Sequence, residues 1–128
     1  MSERKDSFTI DLPRPPPSAN NLFPTGKNRR RYRSADYEAW LYEAGYALEK
    51  QKPPEFIGPV RLEYEFKRGR VDLGNLEKAT TDLLVKHGVI QGDSPKYVGN
   101  IHLRFADVVG ARITISTDSD DFQLGGMQ

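Results

Sequence analysis

Four short stretches of the chain alternate apolar and polar residues with the two-residue period of a strand, and two longer ones repeat at helical spacing. Phe8, Ile10 and Leu12 alternate with Thr9 and Asp11. Val60, Leu62, Tyr64 and Phe66 alternate with Arg61, Glu63, Glu65 and Lys67, the clearest strand of the set. Ile101, Leu103 and Phe105 alternate with His102 and Arg104, and Ala111, Ile113 and Ile115 with Arg112 and Thr114. A turn near Val109-Gly110 joins those last two, which predicts an antiparallel hairpin. Tyr37, Trp40, Leu41, Ala44 and Leu48 form one stripe of a helix that Ser34 caps, Asp36 suits electrostatically and Pro53-Pro54 stop. Leu76, Ala79, Thr80, Leu83 and Leu84 form the stripe of a second helix, with Asn75 near its cap, Lys86 and His87 at its negative end and Gly88 as its C′ residue. Val89-Ile90 is then a short apolar step into the turn Gln91-Gly92-Asp93-Ser94-Pro95.

The order β-α-β-α-β-β, with alternation in every strand, predicts an α+β domain. Its small mixed or antiparallel sheet carries both helices on one face and leaves the other to water. Pro13-Arg14-Pro15-Pro16-Pro17 breaks the sheet and runs on extended, because proline has no ladder donor. Residues 18–33 lack apolar periodicity and read as a loop. A single domain over 7–117 is expected, between a disordered N-terminus at 1–6 and a disordered acidic tail at 118–128.

Composition adds boundaries. With 128 residues and no cysteine, the chain has no disulfide framework, and its length suffices to fold without a structural metal. No apolar run approaches the ~20 residues of a membrane-spanning helix, and no signal segment is seen, so the expectation is a cytoplasmic protein with no membrane partner. The net charge of +1 is uninformative, but its distribution is uneven: Lys27, Arg29, Arg30, Arg31 and Arg33 cluster in the loop, and Asp118, Asp120 and Asp121 lie in the tail. The basic cluster is either a solvated loop or a contact for a polyanion such as a nucleic-acid backbone.

Candidate chemistry sits around the second helix. Arg68, Arg70 and Asp72 leave the second strand; Asn75, Lys78 and Asp82 share one polar helix face; Asp93 follows the helix. If the Val89-Ile90 step doubles back along the helix, Asp72 and Asp93 converge and make an oxygen site suited to Mg²⁺, with Lys78 beside a bound phosphate. The competing reading is turn chemistry, since Asp favours turns on its own account. His87 and His102 lack the neighbours of a catalytic triad or a zinc site, and there is no glycine-rich phosphate loop.

Taken together, Pro15-Pro16-Pro17-Ser18-Ala19-Asn20, Asp72-Leu73-Gly74-Asn75-Leu76-Glu77-Lys78, Asp82-Leu83-Leu84 and Gly88-Val89-Ile90-Gln91-Gly92-Asp93-Ser94 resemble the RusA family of Holliday junction resolvases, over roughly residues 8 to 116. The resemblance implies a homodimeric endonuclease, often prophage-encoded, that resolves four-way DNA junctions by paired cuts with Mg²⁺, for which Mn²⁺ can substitute. It makes Asp72 and Asp93 metal-binding catalytic carboxylates, Lys78 a catalytic cation and Asn75 a supporting residue. Lys27, Arg29, Arg30, Arg31, Arg33, Arg68 and Arg70 are the expected DNA contacts. Two departures stand out. Gly74 occupies a position where the family pattern has a second acid, and Gly92 one where it has an acid next to Asp93. Asp82 is the candidate replacement ligand, Glu77 facing away from Lys78's side. Loss of the acid at 74 also admits an alternative: a DNA-binding protein of the same fold with impaired catalysis.

Overall fold

The computed structural model describes residues 7–18 and 34–118. The elements are β1 (Ser7–Leu12), α1 (Ala35–Gln51), β2 (Val60–Lys67), α2 (Gly74–Lys86), β3 (Val98–Ala106) and β4 (Ala111–Thr117). The expected α+β order is therefore present, on a mixed sheet of order β1-β4-β2-β3. The 1–6 segment, the Lys27–Arg33 cations and the tail from 119 lie outside the described residues.

The two helices form with the signals read from the chain. The Ser34 side chain accepts from the Tyr37 backbone N–H at 3.1 Å, capping α1, whose stripe of Tyr37, Trp40, Leu41, Ala44 and Leu48 is buried. The chain leaves α2 through Gly88 at φ +73°: the Val89 N–H bonds the Leu84 carbonyl at 2.9 Å and the Gly88 N–H bonds that of Val85 at 3.1 Å, a Schellman closure. Asn75 lies near the start of α2, as expected. Leu73 is the N-cap with no side-chain bond, and the Asn75 N–H goes to the Asp72 carbonyl at 2.9 Å.

The strand pairing corrects the predicted hairpin. β3 does not pair with β4; it pairs in parallel with β2, while β4 inserts antiparallel between β2 and β1. The Asp107–Gly110 connection carries the chain past the end of β2, where the Lys67 N–H bonds the Gly110 carbonyl at 2.9 Å. This passage is tight. A Cβ on Gly110 would lie 2.5 Å from the Arg14 backbone nitrogen and 2.6 Å from the Pro13 carbonyl carbon, so only glycine passes there.

One face of the sheet forms the core. Ile10 and Leu12, Ile113 and Ile115, and Val60, Leu62, Tyr64 and Phe66 pack under Trp40, Leu48, Leu83 and Leu84. Each such side chain contributes roughly 1.5–3 kcal/mol through burial. Trp40 also donates its indole N–H to the Arg14 carbonyl at 3.1 Å, tying the proline-rich segment to α1. The opposite face is a polar lattice in register: Asp11, Arg112, Glu65 and Arg104 form one row across all four strands. Arg112 reaches Asp11 at 2.8 Å and Arg104 reaches Glu65 at 2.9 Å through its Nε, so the charges in the row alternate in sign and balance.

Candidate functional site

The unit β2-α2-β3 fixes where the candidate residues can be. β2 delivers the chain to its C-terminal end, α2 carries it back, and β3 starts again beside the first residue of β2, with Val60 opposite Val98 and the Val60 N–H on the Tyr97 carbonyl at 2.9 Å. Asp72 therefore lies at the head of α2. Around it are Arg68 and Arg70, both exposed, with Asn75 and Lys78 on the first turns of the helix. Lys78 pairs with Asp82 at 3.4 Å, the expected i, i+4 contact, with both partners well solvated. An exposed pair of this kind contributes little, so the ammonium is free to take another anion.

Asp93 is at the other end. Val89 and Ile90 are buried but form no strand along the helix; the Phe56 N–H bonds the Val89 carbonyl at 2.8 Å, and the Gly58 N–H bonds the Gln91 side chain at 3.0 Å. The acidic turn is thus held against the segment that enters β2. The expected doubling back of Val89-Ile90, with convergence of Asp72 and Asp93 in one chain, is not made. The 13 residues of α2 stand between them, about 20 Å at 1.5 Å per residue. Among the described residues no group of three His, Asp or Glu side chains is placed to hold a metal ion. Asp72 and Asp93 of the same chain therefore do not meet in a shared two-carboxylate site.

The remaining site residues are placed as follows. Gly74 is the first residue of α2, and a Cβ there would meet nothing within 4 Å. An acid at this position would fit without steric cost, so the glycine is not a packing necessity. Glu77 is already committed: it accepts from Thr81 Oγ1 at 2.5 Å, which leaves Thr81 to accept the Tyr64 hydroxyl at 2.8 Å. Burial, with the negative charges of Glu77 and Asp82 adding to it, pushes the Tyr64 phenol well above its ordinary range. Tyr64 is therefore a neutral donor that anchors α2 to β2.

Neither the Tyr64–Thr81–Glu77 chain nor the Arg68 contact was read from the sequence. Arg68 lies over the Phe105 ring at 5.3 Å, beside a small cleft lined by Pro15, Pro16, Lys67, Val71 and Leu76. The Glu77/Thr81 spacing of four residues was the available signal for the first; for the second, the parallel register had to be known. His87, expected as a helix-end cation, contacts Glu49 on α1 at 2.7 Å through Nδ1 and packs on Gly45. His102 lies exposed on the open sheet face.

No family model matches this chain, and no curated protein does.

Proposed function

We propose that the chain is a RusA-like endonuclease of branched DNA, Mg²⁺-dependent and homodimeric, in which each cutting site draws on both copies. The observation that carries this reading is the separation of Asp72 and Asp93 to opposite ends of α2, with cations beside the first. Two copies related by a two-fold axis with their α2 helices antiparallel set the head of each helix against the foot of the other. Asp72 then faces the partner's Asp93. This also supplies two equivalent sites, which paired cuts in a two-fold junction require.

In this site Asp72 and the partner's Asp93 would hold Mg²⁺, with Asp82, further along the polar face of α2, as the candidate additional carboxylate. A bound Mg²⁺ would supply an activated water and offset charge on the scissile phosphate. Lys78 leaves its solvated pair with Asp82 and donates to a phosphate oxygen, where charge builds in the transition state. Asn75 presents an amide one helical turn before Lys78 and orients the bound phosphate. Arg68 and Arg70 hold the backbone on the approach, joined by Lys27, Arg29, Arg30, Arg31 and Arg33.

A second reading rests on Gly74. With one acid fewer than the family pattern, the chain binds junctions and does not cut them. A labelled four-way junction, compared with a duplex of the same sequence, separates the two. The nuclease reading expects symmetric paired cuts that need Mg²⁺ or Mn²⁺ and disappear in Asp72→Asn and in Asp93→Asn while binding persists. Tight, salt-sensitive binding with no metal-dependent product selects the second reading.

A further inference from the structure

The two edges of the sheet are treated differently. On β1 the Gln51 side chain, reaching from the end of α1, accepts from the Asp11 N–H at 2.9 Å and donates to the Asp11 carbonyl at 2.8 Å. A second strand therefore meets an occupied edge there, on a strand of only six residues that runs straight into Pro13. β3 is the longest strand, nine residues reading VGNIHLRFA, and among the described residues it pairs only with β2. It has neither proline nor lysine, two of the usual devices that keep an open edge from pairing.

The apolar face also runs out unfinished at β3. Ile101 is in register with Leu62, which is wholly buried, yet Ile101 itself is 39% exposed. Leu103 and Phe105, opposite the buried Tyr64 and Phe66, are likewise only partly covered. The core row therefore continues onto an edge strand that no described element closes over.

We propose that the outer edge of β3 is the seam of a two-fold dimer, in which β3 pairs antiparallel with β3 of a second copy near His102 and joins two sheets into one of eight strands. The occupant is a second copy because of the inversion that the pairing imposes. Antiparallel β3 strands lay the two α2 helices side by side and antiparallel, about 10 Å apart at helix-packing distance, so each Asp72 turn meets the partner's Asp93 turn. Ile101 and Leu103 gain cover on the helix side at the same time. This inference rests on the shared-site reading above and names the surface that makes it possible.

The chain has no cysteine, so single substitutions report cleanly. His102→Cys, near the middle of β3 and exposed, is treated with a short bis-maleimide in the full-length protein, beside Tyr46→Cys on the exposed face of α1 as the control. The expected result is a product of twice the chain mass in most of the His102→Cys sample and little in the control. A monomer by sedimentation, a dimer that does not cross-link at position 102, or equal cross-linking at position 46 would each overturn the seam. Junction cleavage by the unmodified chain is scored separately. Cleavage without a β3 cross-link discards the seam and leaves the nuclease reading standing, whereas a β3 cross-link without cleavage retains the seam and removes the nuclease reading.

Discussion

Gly74 opens α2 with a backbone that has room for a side chain and no use for one. A glycine within a helix costs roughly 0.5–1 kcal/mol relative to alanine, and a carboxylate in the first turn gains about 0.3–1 kcal/mol from the helix dipole. Repulsion from nearby Asp72 offsets part of this. Asp itself is only a few tenths of a kcal/mol better than glycine in a helix, so Gly74→Asp is expected to raise stability by about 0.5 kcal/mol in urea denaturation and, in the nuclease reading, to lower the Mg²⁺ concentration needed for half-maximal cleavage. A variant of unchanged metal dependence would deny position 74 any part in the site. Gly110 is the opposite case. A methyl group there runs into the Pro13–Arg14 backbone, which cannot swing aside as a side chain could. Gly110→Ala is expected to lose roughly 1–3 kcal/mol or more, read as a lower denaturation midpoint. The helix caps at Ser34 and Gly88 were legible because capping chemistry is local. Asn75 near the cap of α2 was legible for the same reason; that its N–H goes to the Asp72 carbonyl was not, since a sequence does not display carbonyl directions.

At the scale of elements, every strand and helix was legible, and their neighbours were not. Alternation tells which face a residue takes and says nothing of which strand lies alongside. Ile101-Leu103-Phe105 and Ala111-Ile113-Ile115 look like a hairpin, yet the connection from Asp107 to Gly110 carries the chain past β2. The same limit misplaced Asp93, since its position depends on β3 starting beside the start of β2. Between elements, the Tyr64–Thr81–Glu77 chain is the main polar bond from sheet to helix. Thr81→Val leaves the buried Tyr64 hydroxyl without its acceptor and is expected to cost about 1–3 kcal/mol. Tyr64 has a further consequence. Its folded-state pKa is raised, so its full contribution holds below the ordinary tyrosine value near 10. As pH climbs beyond that, the unfolded chain releases the proton and the folded one retains it, and stability falls. Tyr64→Phe is expected to flatten this alkaline loss in denaturation midpoints measured across pH 9 to 11; an unchanged slope would place its origin elsewhere.

For the whole molecule, the net charge of +1 hides a division of labour. The Asp11–Arg112–Glu65–Arg104 row on the open sheet face cancels its own charges, so that row offers a polyanion no net charge. Arg68 and Arg70 at the end of β2 have no carboxylate of that row beside them, and they stand at the head of α2 with Asp72 and Lys78. If the proposed function holds, replacing both by alanine weakens junction binding and lowers the slope of log affinity against log salt by about 2, one per lost phosphate contact. An unaltered slope would move the DNA path off this end of the sheet. The shared site is the central claim, and mixing two inactive variants tests it most directly. Asp72→Asn and Asp93→Asn are each expected to be inactive alone on a four-way junction with Mg²⁺. When subunits are exchanged, a shared site leaves one pair intact, Asp72 of the second variant with Asp93 of the first, and nicking of one strand returns. A mixture that exchanges subunits yet stays as inactive as its components, under conditions where the unaltered chain cuts, would contradict the account.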